Sequence, residues 1–302
     1  MAEEKEKKAA PKKEKLADPI AATIDVASQQ LIARAQQLGV ETVFDRAETM
    51  KPCNIGAQGT CCKNCGMGPC RLPLPKSGIE GEDTRKGLCG ATANTIAARN
   101  FIRMIAGGAP AHSDHGRGGA EVFLTTARKE TNDYQIKNTV KLVQVAEALG
   151  VATTVEVDGE TKDRDLDEVA VEVGEIAMAE WGKPEGEVFY LKRAPQALYE
   201  KWEKQGVRPR NIDREIVEIM HRTHIGVDQD YRNLMKQGVR AAIADGWGGS
   251  MLATDLQDIL FGTPYPLQSE ANLGVMKEDH VNVIVHGHEP ILSEMIVAAS
   301  QS

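Results

Sequence analysis

The cysteines of this chain are confined to one short segment, and this clustering constrains the fold more than any other feature of the sequence. They are Cys53, Cys61, Cys62, Cys65, Cys70 and Cys89. With 302 residues, the chain is long enough to bury a hydrophobic core without covalent cross-links. Cysteines that merely fill a core would be scattered along the sequence. The clustering therefore predicts a site where several thiolates gather around one group.

Disulfides, zinc and an iron–sulfur cluster all use clustered cysteines, and the spacing favours the last. Disulfide frameworks belong to small secreted domains, and the Lys/Glu-rich start of this chain lacks the apolar core of a secretory signal. Zinc could use Cys62 and Cys65 as a half-site, but no second Cys-x2-Cys or His pair stands at zinc-ribbon distance. A cubane accepts irregularly spaced thiolates, and the neighbouring glycines would let backbone N–H groups approach its sulfides.

Four thiolates complete one cubane, so six cysteines divide into a set of four and a remainder. The predicted set of four is Cys62, Cys65, Cys70 and Cys89. Cys53 and Cys61 then form half a set, which two copies of the chain could complete on a twofold axis. This division predicts a homodimer with a shared cluster. The alternative is that Cys53 and Cys61 are ordinary buried thiols.

Composition excludes several other classes of protein. A net charge of −8 and only 4% aromatic residues argue against a nucleic-acid-binding surface. No apolar run approaches the roughly 18 residues that a membrane-spanning helix needs. We therefore expect a globular protein that does not bind nucleic acid and does not span a membrane.

The cysteine segment resembles the N-terminal part of anaerobic nickel–iron carbon monoxide dehydrogenases. The resemblance is carried by CNIGAQGTCCKNCGMGPC, GLCGATANTIAARN and AHSDHGR, and farther along by ATDLQDILFGTPYP, EANLGV and VNVIVHGHEPILSEMIV. It extends from about Ile20 to the last residues. The related hybrid-cluster proteins share the broader architecture, but the Cys61-Cys62 doublet and the HGHEP segment favour the dehydrogenases.

The resemblance implies roles for individual residues. The set of four cysteines matches the ligands of an internal [4Fe–4S] cluster, the B-cluster. Cys53 and Cys61 match the ligands of the D-cluster, either [4Fe–4S] or [2Fe–2S], which two subunits share. His288 matches a ligand on the iron of the nickel–iron–sulfur C-cluster, where CO is oxidised. His112 and His115 match the start of a histidine ladder that conducts protons, although Gly118 and Glu121 occupy its next positions.

The resemblance also implies an activity and its setting. The family oxidises CO with water to CO2, two protons and two electrons, and passes the electrons to a ferredoxin-like acceptor. An acetyl-CoA synthase partner is possible in this family, and the expected location is the cytoplasm of an anaerobe.

Length is the main departure from the family. Members are roughly twice as long, and their later half supplies the cysteines of the C-cluster, whereas here no cysteine follows Cys89. We expect the front half of a longer enzyme, which holds the electron-relay part, or a natural short homologue that assembles with a separate partner. The alternative function is a non-catalytic iron–sulfur module for electron transfer or scaffolding.

The sequence predicts a mainly helical architecture in three regions. Residues 1–19 form a disordered charged tail, 20–245 a helical iron–sulfur domain, and 246–302 the incomplete beginning of a Rossmann-like α/β domain. In the last region, Val281–His286 is the expected strand, with His288 just beyond its carboxyl end. In the second, a helix is expected over Thr92–Ile105, Gly107-Gly108 is expected to end it, and Pro110 to begin the next.

Apolar spacing predicts several further elements of the chain. Helices are expected at Val140–Leu149, Leu166–Trp181, Ile212–His221, Met251–Leu260 and Ile291–Ala299, and short strands at Val151–Val157 and Val188–Leu191.

Overall fold

The computed structural model describes residues 16–50, 52–263, 279–285 and 290–301. This part of the chain is mainly helical. The α-helices are α1 Pro19–Ala22, α2 Val26–Gln37, α3 Val43–Thr49, α4 Asn54–Ala57, α5 Ala93–Ala127, α6 Thr139–Leu149, α7 Leu166–Gly182, α8 Gln196–Gln205, α9 Ile212–Arg222, α10 Tyr231–Ile243, α11 Met251–Phe261 and α12 Pro290–Gln301. A 3-10 helix spans Phe189–Arg193, and a π-helix spans Ala244–Ser250. The strands form two antiparallel pairs: β1 Cys61–Cys62 with β2 Cys70–Arg71, and β3 Thr154–Val157 with β4 Glu160–Asp163.

The chain divides into two compact units. The first comprises Met1–Asn54 and Gln268–Asn282, and the second comprises Ile55–Leu267 and Val283–Ser302. Among the described residues, no helix is both long and apolar enough to cross a membrane. The predicted charged tail falls mostly on residues 1–15, which lie outside the described part.

In the first unit, a capping box begins α3. The Thr42 hydroxyl accepts a hydrogen bond from the Asp45 N–H, and the Asp45 carboxylate accepts one from the Thr42 N–H at 2.8 Å. The same carboxylate also accepts from the Thr42 hydroxyl at 2.7 Å and from the Ala17 N–H at 2.9 Å. These hydrogen bonds, that of the Thr42 side chain first, lower the pKa of Asp45 from 3.8 to about 2. The ionised carboxylate therefore joins α3 to the chain before α1.

We expect Asp45→Asn to destabilise the protein at pH 6 and to weaken the pH dependence of its stability. Because the folded pKa of Asp45 is depressed, its carboxylate contributes stability above its ordinary pKa of 3.8 and loses it as the pH falls toward 2. Urea unfolding followed by circular dichroism between pH 6 and pH 2 measures the effect. Asp25→Asn is the comparison: hydrogen bonds with Ser28 at the start of α2 also lower the pKa of the exposed Asp25 carboxylate, so we expect a smaller effect of the same sign. An identical pH dependence in wild type and Asp45→Asn would contradict the prediction.

Helix α5 forms the centre of the second unit and packs against α7, α9, α10, α11 and the π-helix. It is 35 residues long, and one face is buried from end to end. The buried face includes Ala98, Ile102, Ala106, Ala109, Ser113, Gly116, Ala120 and Phe123. The spacing of three or four residues is that of a helix that lies against a core along its whole length.

The predicted break at Gly107-Gly108 is wrong, because α5 continues through it and contains Pro110. Proline inside a helix removes one hydrogen bond, and glycine is a poor helix former. The buried face nevertheless continues on both sides of these residues, at Ala106 and Ser113. Tertiary packing therefore outweighs local propensity here.

The predicted Rossmann-like beginning is not seen in the described residues. Val281–Val285 has no regular secondary structure, and no strand follows Asp163 in the described part of the chain. A parallel strand needs neighbouring strands to pair its backbone groups. Residues 286–289, which include His288, lie outside the described part. The helices predicted at Met251–Leu260 and Ile291–Ala299 are confirmed as α11 and α12.

Other local predictions had mixed outcomes. The helices predicted at Val140–Leu149, Leu166–Trp181 and Ile212–His221 are confirmed by α6, α7 and α9. The strand predicted within Val151–Val157 corresponds to β3, which the Asp158-Gly159 turn joins to β4. The strand predicted at Val188–Leu191 is wrong, because most of it belongs to the 3-10 helix.

Candidate metal centre

A short hairpin places two of the predicted ligands side by side. In the pairing of β1 with β2, Cys62 lies opposite Cys70 and Cys61 lies opposite Arg71. The Asn100 amide of α5 donates to the carbonyl of Cys61 at 3.0 Å, which ties the hairpin to the central helix. Cross-strand partners share a face of a hairpin, so Cys62 and Cys70 lie on the same face.

The side chains of Cys61 and Cys62 lie on opposite faces of β1. Successive side chains of a strand point to opposite sides. Cys62 is only 7% exposed and packs in a small apolar cluster with Leu72 and Ile96, whereas Cys61 is half-buried. The geometry therefore separates Cys61 from the face that carries Cys62 and Cys70.

Cys89 lies in a tight loop directly before α5. The Gly87 N–H donates to the Ala91 carbonyl at 2.9 Å, and Gly90 has a φ of +84°, which favours glycine. At Gly87, a Cβ would lie 3.3 Å from the Cβ and 3.4 Å from the Sγ of Cys70. The glycine thus lets this loop approach Cys70 closely. The Leu88 N–H points to the Cys70 Sγ at 3.5 Å.

All four residues of the predicted internal set line one cavity. Its lining residues are Cys62, Asn64, Cys65, Met67, Cys70, Gly87, Leu88, Cys89, Ala91, Ile96, Arg99, Thr223 and Ile225. The four sulfur-bearing side chains thus surround a common space with a mainly apolar wall. Within the described ranges, no three His, Cys, Asp or Glu side chains form a group that could hold a single metal ion.

Arg99 connects the cavity to α5. Its side chain is 1% exposed, and its guanidinium donates to the Cys89 Sγ at 3.5 Å and to the Asp228 carbonyl at 2.6 Å. Burial acts to raise the pKa of the Cys89 thiol. Hydrogen bonds from Arg99 and from the N–H groups of Ala91 and Gly226 outweigh burial, so the pKa is lowered. The site therefore favours the thiolate form, which is the form that binds metal.

Two buried donors at the cavity lack a partner among the described residues. They are the amide nitrogen Nδ2 of Asn64 and the guanidinium Nε of Arg99. Buried donors in folded proteins almost always find an acceptor. The sulfides and thiolates of a cubane are acceptors, and they would also bring net negative charge beside Arg99. The donor set and the unpaired N–H groups therefore fit an iron–sulfur cluster.

The remaining predicted site residues are dispersed. Cys53 is exposed and belongs to the first unit, so its pairing with Cys61 in a shared cluster stays a prediction. His112 and His115 both lie on α5, and the His112 Nδ1 is 3.1 Å from the Asp245 Oδ2 of the π-helix. Burial raises the pKa of Asp245, and the hydrogen bond with His112 offsets part of the increase.

The sequence-based predictions did not include Asp245, Arg99 or the loop that covers Cys89. In that loop, the Gln229 amide donates to the Cys89 carbonyl at 3.0 Å, and the Gln229 carbonyl accepts from the Thr95 hydroxyl at 2.7 Å. The apolar spacing of α5 could have indicated Arg99, because this arginine occupies a position on the apolar face of the helix. The loop contact spans 140 residues, and no local pattern encodes it.

Comparison with known proteins identifies the family. Residues 60–302 match the family described as the Prismane/CO dehydrogenase family. The chain is 49% identical over 281 residues to carbon monoxide dehydrogenase 1 of Methanosarcina acetivorans, a match that covers 92% of this chain and 42% of that protein. Its fold superposes with a TM-score of 0.83 on the Ni-free crystal structure of carbon monoxide dehydrogenase from Thermococcus sp. AM4, at 46% identity, covering 95% of this chain and 44% of that one.

A further solved structure extends the comparison to a complex. It is an acetyl-CoA synthase/carbon monoxide dehydrogenase, described with NiZn[Fe4S4] and NiNi[Fe4S4] clusters in its alpha subunits. The TM-score is 0.82 at 38% identity, with 95% of this chain and 42% of that chain covered. The chain thus spans about two fifths of the length of the relatives it matches. It belongs to the Prismane/CO dehydrogenase family, and within it to the nickel–iron carbon monoxide dehydrogenases.

Proposed function

We propose that this chain is the electron-relay part of a nickel–iron carbon monoxide dehydrogenase. The reaction is the oxidation of CO with water to CO2, two protons and two electrons. The observation that carries the proposal is the cavity lined by Cys62, Cys65, Cys70 and Cys89, with two unpaired donors at its wall. The similarity to carbon monoxide dehydrogenases supports this assignment.

The four cysteines of this cavity would hold a [4Fe–4S] cluster, which accepts and releases single electrons at low potential. The residues around it act on its stability and potential. The N–H of Leu88 and the guanidinium of Arg99 donate to ligand sulfurs, and Ile96 and Ile225 contribute apolar wall. Hydrogen bonds to the sulfurs and exclusion of water are two of the means by which a protein tunes such a cluster.

A second cluster would connect two copies of the chain. We propose that Cys53 and Cys61 of each copy supply its ligands at the axis of a homodimer. The opposite orientation of Cys61 and Cys62 on β1 supports their assignment to different clusters. Electrons would leave through this cluster to a ferredoxin-like acceptor. We include acetyl-CoA synthase among the proposed partners, because one of the similar solved structures is an acetyl-CoA synthase/carbon monoxide dehydrogenase.

The protons would follow a separate route along α5. The His112 imidazole and the Asp245 carboxylate, 3.1 Å apart, can pass a proton between Nδ1 and Oδ2. His115 lies one turn farther along the same helix face. His288 would bind the iron of the nickel–iron–sulfur centre in the complete enzyme. These roles rest on the family resemblance, and the His112–Asp245 contact supports the first of them.

Catalysis by these 302 residues alone is not part of the proposal. All six cysteines precede residue 90, so after the two relay clusters are filled no thiolate remains for a nickel–iron–sulfur centre. The competing function is therefore a non-catalytic electron-transfer or scaffold module. Both functions share the relay clusters, and they differ in whether the chain works with the remaining part of a dehydrogenase.

Metal analysis of anaerobically purified protein tests the proposal. One internal cubane and half of a shared one predict about six iron atoms per chain and no nickel. About four iron atoms would remove the shared cluster and leave Cys53 and Cys61 as ordinary thiols. Iron near zero would refute the relay function. Nickel in stoichiometric amount, with CO-dependent dye reduction, would show that a catalytic centre assembles from these residues.

A further inference from the structure

We propose that Arg99 sets the reduction potential of the cluster held by Cys62, Cys65, Cys70 and Cys89, by placing a buried positive charge against the Cys89 sulfur. The inference rests on the proposed function, since it requires a cluster in the cavity. It adds a role for a residue that is not a ligand.

The charge of Arg99 has no carboxylate partner among the described residues. Its guanidinium contacts the Cys89 Sγ and the backbone carbonyl of Asp228, and its Nε is unpaired. The carboxylate of Asp228 is already engaged, because its Oδ2 accepts from Arg222 at 2.6 Å and its Oδ1 accepts from the Asp230 N–H at 2.9 Å. A buried charge without a counterion is costly. The thiolates and sulfides of a bound cluster would supply the negative charge that this site lacks.

The charge of Arg99 would also change the reduction potential of the cluster. A cluster with four thiolate ligands is negatively charged, and it gains one further negative charge when it takes up one electron. A neighbouring cation stabilises the reduced state more than the oxidised state, so it raises the reduction potential. A guanidinium keeps its charge at any pH at which proteins are folded, so it neither gains nor loses a proton in this step.

The surroundings hold Arg99 in place. Its Nη2 is fixed at 2.6 Å from the Asp228 carbonyl, and the Asp228 side chain is fixed by Arg222. Gln229 of the same loop donates to the Cys89 carbonyl. The loop, the arginine and the ligand therefore form one connected unit, in which the distance from charge to sulfur is maintained.

The competing explanation is that Arg99 only anchors the loop at Asp228. Substitutions that differ in charge separate this explanation from an effect on the reduction potential. Arg99→Lys keeps the charge, Arg99→Gln keeps a neutral donor, and Arg99→Met keeps only the volume. Arg103→Met is the matched control, because Arg103 lies one turn along α5 and donates to the Thr223 hydroxyl at 2.7 Å without lining the cavity. A purely structural role would not distinguish lysine from glutamine by charge.

The measurement is an EPR-monitored redox titration of the full 302-residue chain with dithionite as reductant, together with an iron count. The signal of interest is the one missing from a Cys62→Ala/Cys89→Ala double variant. For Arg99→Gln and Arg99→Met we expect at least a tenfold fall in the equilibrium constant for reduction, which is about 59 mV for one electron. Arg99→Lys and Arg103→Met should each stay within a few-fold of wild type.

The redox titration and the iron count distinguish a failure of the role of Arg99 from a failure of the proposed cluster. Equal potentials in wild type and Arg99→Gln, with full iron content, would overturn the role of Arg99 and leave the cluster assignment intact. Absence of iron from the wild-type chain would overturn both. If Arg99→Met fails to assemble its cluster, the comparison of Arg99→Lys with Arg99→Gln still decides the question.

Discussion

A double substitution of Cys62 and Cys89 by alanine should lower the iron content from about six to about two atoms per chain and remove most of the visible absorption. The two residues lie on separate segments, the β1–β2 hairpin and the loop before α5, yet both line one cavity. Without them, Cys65 and Cys70 are left, and two thiolates cannot hold a cubane. Metal analysis and absorption spectra of anaerobically purified protein measure the loss.

Cys53→Ala is the matched control for this experiment. Cys53 is exposed and does not line the cavity, so its loss should spare the internal cluster and leave about four iron atoms per chain. Equal iron losses in the two variants would contradict the division of the cysteines into a set of four and a pair. Unchanged iron in the double variant would contradict the cavity as the site of a cluster.

Gly116→Ala should destabilise the second unit by about 1–3 kcal/mol, the usual range for overpacking a core. A Cβ at this position of α5 would lie 2.9 Å from the Gly249 carbonyl oxygen, 3.2 Å from the Ala253 Cβ and 3.3 Å from the Trp181 ring. The ring has little room to move, because its Nε1 donates to the Ser113 carbonyl at 2.9 Å. Chemical denaturation, as a shift in the unfolding midpoint, measures the effect.

Gly118→Ala, two residues along the same helix, should have the opposite sign. No atom lies within 4 Å of a Cβ built there, so the substitution only removes the helix penalty of glycine, a gain of about 0.5–1 kcal/mol. Because both changes replace glycine by alanine in α5, their difference isolates the steric contact of the added Cβ with Gly249, Ala253 and Trp181. Similar midpoints for the two variants would show that the neighbours of Gly116 can move aside without cost.

Helix α5 shows most clearly where tertiary packing, rather than local propensity, determines the secondary structure. Its first part was predictable, because Ile96, Ile102 and their neighbours have helical spacing after the Thr92 cap. Its continuation through Gly107 and Pro110 was not, because both residues locally disfavour a helix. The packing of α7, α10 and α11 along its length decides in favour of one long helix. The expected strand at Val281–His286 is not seen in its described part, Val281–Val285, for the converse reason, since an apolar run becomes a strand only when another strand pairs with it.

The sequence by itself was enough to predict which residues belong to the candidate site. The spacing of Cys62, Cys65, Cys70 and Cys89 selected four residues that the fold brings around one cavity, because ligand chemistry depends on residue type and on short chain segments. Only the tertiary structure decided what surrounds those four cysteines. Arg99 and the loop at Asp228 meet Cys89 because α5, α9 and α10 pack together, and contacts between residues more than 100 positions apart leave no local pattern in the chain.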